Sequence, residues 1–243
     1  MGLVSRAWVR CAAMLALVLA TLGAAAGAPA EEARGLVDVA LDPGHSWADV
    51  GAIGGGLREY ELTLDLARRV RARLEATGLA VRLTREDHAP LSAMDDPDST
   101  ERIRLEQEAR LAAAAPARVY VSLHLNGGPA WLRGTETYYN PERSPDGPVA
   151  DEALAAAIQA RVVATLAEAG YTTLDRGVKS DLAAGKPYGH FFGLRGPMPS
   201  ALLEALFLTS PDEAALLNDE TVREAIARGC AQGILEYLAA AGE

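Results

Sequence analysis

The feature that most constrains this chain is a repeated switch between strand and helix periodicity. Gly35 to Leu41 (GLVDVAL) is a short β-branched run, after which Leu62, Leu66, Ala67, Val70 and Leu74 recur at helical spacing until Gly78 stops them. Leu79 to Thr84 alternates as a strand, Glu101 to Ala115 is helical, and Ala117 to Leu125 (ARVYVSLHL) is the clearest strand. Thr135 to Tyr139 reads as another strand, Ala150 to Ala169 as a helix closed by Gly170, Ser200 to Leu208 as a buried strand and Asp219 to Leu238 as a last amphipathic helix. Strands that alternate with helices pair side by side through crossovers. The pattern therefore predicts an α/β fold: a single domain with a mixed, mostly parallel twisted sheet covered by helices on both faces. Ala89 to Thr100 and Asn140 to Pro148 are expected to be surface loops within it.

Residues 1–30 stand apart from this pattern. Arg6 and Arg10 precede an apolar run from Cys11 to Leu22, and small residues follow from Gly23 to Ala30. This is the layout of a secretory signal peptide, and the run is shorter than the roughly 20 residues that span a bilayer. Residues 1–30 are therefore expected to be a cleaved signal and 31–243 the exported domain, with no membrane span after cleavage. Cys230 is the only cysteine beyond the signal, so an exported chain of this kind is held by its core and not by a disulfide. A hydrophobic content of 49% suffices for one globular domain, and a net charge of −10 leaves no electrostatic footprint for nucleic acid or an anionic membrane.

Chemistry in such a sheet concentrates in the loops beyond the carboxyl ends of the strands. The first strand runs into Asp42-Pro43-Gly44-His45, and the clearest strand ends in Ser122-Leu123-His124-Leu125-Asn126, so two of the four histidines occupy equivalent strand ends. Between them Glu59 follows a glycine-rich loop and opens the first long helix. Two imidazoles and a carboxylate are the ligand set of a catalytic zinc site with a fourth position free. Each residue also has a purely structural reading: a hydrogen-bonding histidine at a strand end, or an acid that complements the helix dipole. Glu204 is a sharper signal. It is the one acid in the apolar run Ser200 to Leu208, and a buried carboxylate must be paired, protonated or placed at a site.

From about Val37 to Leu238 the chain resembles the zinc-dependent N-acetylmuramoyl-L-alanine amidases, bacterial cell-wall hydrolases. The resemblance is carried, in order, by Leu41-Asp42-Pro43-Gly44-His45, Asp49-Val50-Gly51-Ala52, Leu57-Arg58-Glu59, Leu83-Thr84-Arg85 with Asp87, and Val121 to Asn126. It continues through Gly134 to Tyr139, Arg176-Gly177-Val178-Lys179 and Leu203-Glu204 with Phe207-Leu208. It implies Zn2+ held by His45, Glu59 and His124, a catalytic Glu204, and an amidase catalytic domain over 31–243. It further implies hydrolysis of the amide between N-acetylmuramic acid and L-alanine in peptidoglycan or muropeptides, and leaves open a protein activator of unknown identity. A zinc peptidase or deacetylase of wall polymers and a non-catalytic peptidoglycan-binding protein are the alternative functions.

The chain departs from the family pattern at several positions. Ser46-Trp47 replaces a glycine pair, Arg118 an aspartate, Leu206 a glycine and Thr209-Ser210 a serine-asparagine pair. Trp47 and Leu206 are expected to reshape the substrate cleft, as is Asp181 to His190 (DLAAGKPYGH). This stretch is longer than the family's usual link and is rich in loop-forming Gly and Pro. Arg195 is expected to meet a substrate carboxylate or carbonyl, and His88 and His190 are expected to be solvated loop residues.

Overall fold

The computed structural model describes residues 35–143 and 148–242, so the signal reading of residues 1–30 and part of the expected 140–148 loop lie outside the described residues. The chain runs β1 (Val37–Pro43), a short hairpin β2 (Ile53–Gly54) and β3 (Leu57–Arg58), α1 (Glu59–Glu75), β4 (Val81–Leu83), α2 (Thr100–Ala114) and β5 (Ala117–Asn126). It continues through β6 (Thr135–Tyr139), α3 (Pro148–Glu168), β7 (Asp175–Ser180), β8 (Ser200–Phe207), α4 (Pro211–Asn218) and α5 (Glu220–Ala241). Six strands form one sheet in the order β4-β1-β5-β8-β6-β7. The pairs β4–β1, β1–β5 and β5–β8 are parallel, β6 lies antiparallel to β8, and β7 is parallel to β6. The sheet is thus mixed and mostly parallel, as the alternation predicts.

Side-chain parity decides which face each helix covers. Val39 and Leu41 of β1, Val119, Val121 and Leu123 of β5, and Ala201 and Leu203 of β8 point into one core with apolar residues of α1, α3 and α5. The intervening Ala40 and Tyr120 point the other way and pack with Ala114 at the end of α2. Both faces carry helices, but unequally: α1, α3 and α5 make a thick layer on one side and α2 covers only part of the other. The chain steps from β1 through α1 to β4, then through α2 back across β1 to β5. That reversal makes the carboxyl ends of β1 and β5 the natural crevice of the sheet.

Three elements carry too weak a sequence signal to be anticipated. β7 (DRGVKS) has no apolar alternation, because it is an edge strand paired only with β6. The helix α4 spans only eight residues. The stretch expected to be loop throughout, Asp181 to His190, begins as a 3-10 turn over Asp181–Ala184, ended by Gly185 in the left-handed region at φ 65°. Ser180 starts this turn by accepting a hydrogen bond from Leu182 N. No described helix is long and apolar enough to cross a membrane, and Cys230 is free and buried.

Candidate metal centre and active site

His45 sits just past β1 in a conformation that non-glycine residues rarely adopt, φ 62°. Such a backbone persists only when its surroundings over-determine it, and two arginines do so here. Arg110, fully buried, donates to the carbonyls of Pro43 (2.6 Å) and His45 (2.7 Å) while pairing with Asp42 at 2.8 Å and Glu106 at 3.0 Å. Arg85, also buried, donates to Pro43 O at 3.0 Å and Gly44 O at 3.0 Å. The Asp42 carboxyl, held far below the usual carboxylate range by Arg110, Thr84 and Ser122 despite its burial, completes this network. The loop that presents His45 is thereby tied to β1, β4, β5 and α2.

The opening position of α1 makes Glu59 both a helix-dipole acid and a site residue. Its Oε2 accepts from Ala52 N at 2.7 Å, and its Oε1 accepts from Leu125 N at 3.0 Å. The same Oε1 lies 3.0 Å from His124 Nδ1 and 3.3 Å from His45 Nε2. Burial works against the charge on Glu59, but the two imidazoles hold its carboxyl well below the usual range. Asp49 turns His45 into place by taking its Nδ1 at 2.9 Å, which leaves Nε2 to face the cluster. Burial opposes a charged His45, yet the Glu59 carboxylate and the Asp49 hydrogen bond raise its pKa to about 10. Any cation must displace that proton.

The donor set fits a zinc ion. One ligand atom each from His45, Glu59 and His124 lie within 4.8 Å of one another. A tetrahedral centre with bonds of about 2.0–2.1 Å has ligand atoms roughly 3.3 Å apart, close to the separations just given. Packing leaves no slack around these groups. A Cβ on Gly44 would fall 2.3 Å from the His124 ring, and one on Gly51, whose φ is 68°, would fall 2.4 Å from Glu59 Oε2.

Glu204 comes from the middle of β8 and not from a strand end. It lies in register with His124 of β5 on one side and with Glu136 of β6 on the other. Its Oε2 is buried and has no hydrogen-bond partner among the described residues. Burial drives its pKa well above the usual value, and the charges of Glu59 and Glu136 push in the same direction. Glu136 itself is anchored by Asn126 (2.7 Å), Tyr138 (2.8 Å), Arg176 (2.6 Å) and Lys179. His45, His124 and Glu204 share a cleft of about 270 Å³.

The remaining expected residues fall elsewhere. Arg195 is exposed and does not line the cleft; its NH2 donates to the carbonyls of Tyr188 and His190 at 2.8 and 2.7 Å. Leu206, expected to reshape the cleft, is buried on the helix side instead. A bulge in β8 after Glu204 turns Leu206 and Leu208 into that core. Ser46 builds the turn that carries Asp49, its N donating to Asp49 O at 2.9 Å, and Trp47 faces solvent. Arg118 pairs with Asp38 at the far end of the strands. His88 is exposed as expected, but His190 is half-buried against Asp181 and Glu142 and is not simply solvated. The roles of Asp49, Arg85 and Arg110 escape the sequence, since an arginine in a helix or after a strand is ordinarily a surface residue.

The family profile described as N-acetylmuramoyl-L-alanine amidase matches residues 39–236. The germination-specific N-acetylmuramoyl-L-alanine amidase of Bacillus subtilis is 31% identical over 208 residues, which are 84% of this chain and 80% of that protein. The amidase LytC of the same organism is also 31% identical, over 199 residues, but this chain spans only 34% of its length. The CwlD amidase from Clostridioides difficile, solved in complex with the GerS lipoprotein, superposes with a TM-score of 0.66 at 27% identity, covering 84% of this chain and 99% of that one. The match spans the histidine after β1, the histidine of β5, the helix-opening acid and the glutamate of β8: this chain belongs to the N-acetylmuramoyl-L-alanine amidase family, whose reaction is hydrolysis of the amide that links peptide to glycan in peptidoglycan.

Proposed function

We propose that this chain is a zinc-dependent N-acetylmuramoyl-L-alanine amidase, in which His45, Glu59 and His124 hold the ion and Glu204 carries the proton. The observation that supports this most directly is the register of His124 with Glu204 across adjacent parallel strands. It puts a ligand and a buried, unpartnered carboxylate oxygen side by side in one cleft. When bound, zinc supplies Lewis acidity toward the scissile carbonyl and the attacking water.

The protein's own groups do the rest. Glu204 takes a proton from the water as it adds to the lactyl carbonyl, and returns it to the alanine nitrogen as the C–N bond breaks. Asn126, Arg176 and Lys179 hold Glu136 in place beside Glu204. Glu59, fastened by Ala52 N and Leu125 N, cannot swing out of the cluster. The substrate is peptidoglycan or muropeptides, the place of action is outside the cytoplasm after cleavage of residues 1–30, and a protein partner is a further part of this reading. The complex solved for CwlD supports that last element.

The test is digestion of purified murein and of soluble muropeptides by the zinc-loaded protein, with mass spectrometry of the products and metal analysis of the protein. The amidase releases stem peptides that begin with free L-alanine. Peptides cut internally or deacetylated sugars would assign one of the other zinc hydrolases, and no products with no zinc would leave a binding protein. His45→Ala and His124→Ala are each expected to abolish metal retention and activity together. Either variant retaining one zinc per chain with normal turnover would refute the ligand set.

A further inference from the structure

The cleft that holds His45, His124 and Glu204 is also lined by Lys186, Tyr188 and Phe191, from the segment that follows β7. This segment is braced at both ends. Asp181, buried, takes His190 Nδ1 at 2.6 Å on one carboxylate oxygen and Phe191 N at 2.8 Å on the other. Arg195 holds the carbonyls of Tyr188 and His190, and its guanidinium lies 4.4 Å from the centre of the Phe192 ring. Tyr188 stacks on the same ring at 4.5 Å. Gly185 stands before Lys186 in the left-handed region at φ 65°, and Pro187 behind it disfavours helical backbone at Lys186. The lysine is therefore offered to the cleft from a fixed platform.

Its ammonium group is also held in no direct ion pair among the described residues. The chain has two lysines. Lys179 is engaged with Glu136, whereas the Lys186 side chain makes no hydrogen bond or ion pair among the described residues, its backbone carbonyl alone accepting from Gly189 N at 3.0 Å. The arginine that lines the cleft, Arg110, is engaged by Asp42, Glu106 and backbone carbonyls. Lys186 is exposed and near enough to Glu204 for its charge to act on that carboxyl, but no carboxylate among the described residues pairs with it, so its ammonium group can meet an incoming anion beside the hydrolytic centre.

The substrate chemistry says where that anion is. In a muramoyl-alanine unit the lactyl carboxyl is consumed in the scissile amide and the N-acetyl sugars are neutral, so free carboxylates belong to the peptide. We propose that Lys186 binds a stem-peptide carboxylate, making this chain selective for substrates whose peptide is a free acid over those whose peptide is amidated. Arg195 is then a positioning residue that acts through the Tyr188–His190 backbone. The inference rests on the amidase reading above.

The experiment compares two soluble muramoyl peptides that differ only in a free or amidated stem carboxylate, using zinc-loaded wild type, Lys186→Ala and Lys186→Arg. Wild type is expected to show the lower KM for the free acid. Lys186→Ala raises that KM about threefold to fivefold, the range of a partly solvated ion pair, so that the KM ratio of the two substrates falls toward one. Lys186→Arg restores the ratio, and zinc content and melting temperature are the same in all three. An unchanged ratio in Lys186→Ala overturns the proposal. So does an equal change in the pH profile of kcat for both substrates, which would mean that Lys186 acts on Glu204 instead. Calorimetric binding of both compounds to Glu204→Gln, with and without Lys186→Ala, reads the same preference without turnover. A chain that cleaves neither compound yet prefers the free acid through Lys186 fails as an amidase and keeps this site.

Discussion

The two faces of the central strands share a backbone and divide the work, and β8 shows the division over adjacent residues. Leu203 points to the face covered by α1, α3 and α5, where Val121, Leu123 and their helix partners exclude water. Glu204 points to the thinly covered face, in register with His124 and Glu136. The helix side gains its stability mainly from apolar area, and its few buried polar groups, such as Thr165 and Gln159, are hydrogen-bonded within it. The other side holds Asp42, Ser122, His124, Glu136 and Glu204, each of which needs a partner, a ligand or a substrate. A strand that alternates between these two demands can build a core and a reactive centre in the same eight residues.

The largest expected break in this contrast is chemical. Glu204→Gln keeps shape and removes the proton acceptor, so turnover should fall about a hundredfold or more while zinc content and melting temperature stay near wild type. Steady-state kinetics with metal analysis checks this. Loss of zinc instead would make Glu204 a ligand and Glu59 the bystander. One residue earlier the outcome should invert. Leu203→Ala is expected to cost about 2–5 kcal/mol of stability in denaturant titrations, through lost burial and a residual cavity, while the folded fraction keeps its metal and its turnover.

The boundary between the faces is sharpened by Arg110, which is buried yet serves the site. Arg110→Lys keeps a positive charge near Asp42 but cannot also span Glu106 and the carbonyls of Pro43 and His45. Zinc affinity, measured by competition with a chelator, should weaken about tenfold to a hundredfold, as is usual when a group that orients a ligand is lost. Unchanged affinity in a variant that melts lower would confine Arg110 to the core.

The smallest effect concerns pH. Burial alone would raise the Glu136 pKa, but Lys179, Arg176, Asn126 and Tyr138 bring it down from 4.5 to about 2. A carboxylate depressed in the folded state contributes stability that is fully present above the unfolded value and is lost as pH falls through the folded one. Wild type should therefore lose stability between about pH 4.5 and pH 2, and Glu136→Gln should lose less over that window. Parallel stability curves for the two proteins would show that the network contributes nothing through Glu136.

Much of this arrangement is written locally. Apolar spacing in Leu62 to Leu74 and the unbroken strands around Val121 and Leu203 require helices and a sheet wherever they are placed, because period and hydrophobicity act over a few residues. The same locality exposes His45 and His124 after strand runs, Glu59 at a helix start and Glu204 as a lone acid among apolar neighbours. Tertiary structure alone decides the rest. The bulge after Glu204 sends Leu206 to the helix side, which no pattern in β8 signals, because register is set by the neighbouring strand β5. Arg110 is buried because Asp42 and Glu106 meet it from β1 and its own helix, and Asp49 orients His45 because the Ser46 turn folds it back. β7 exists because β6 supplies its hydrogen bonds, and Arg195 braces a loop because Tyr188 and His190 return to its guanidinium. The sequence by itself determined which residues could form elements and which could do chemistry. Only the packed chain decided which charges are paired, since ion pairs and hydrogen bonds depend on distances between segments that are far apart in sequence.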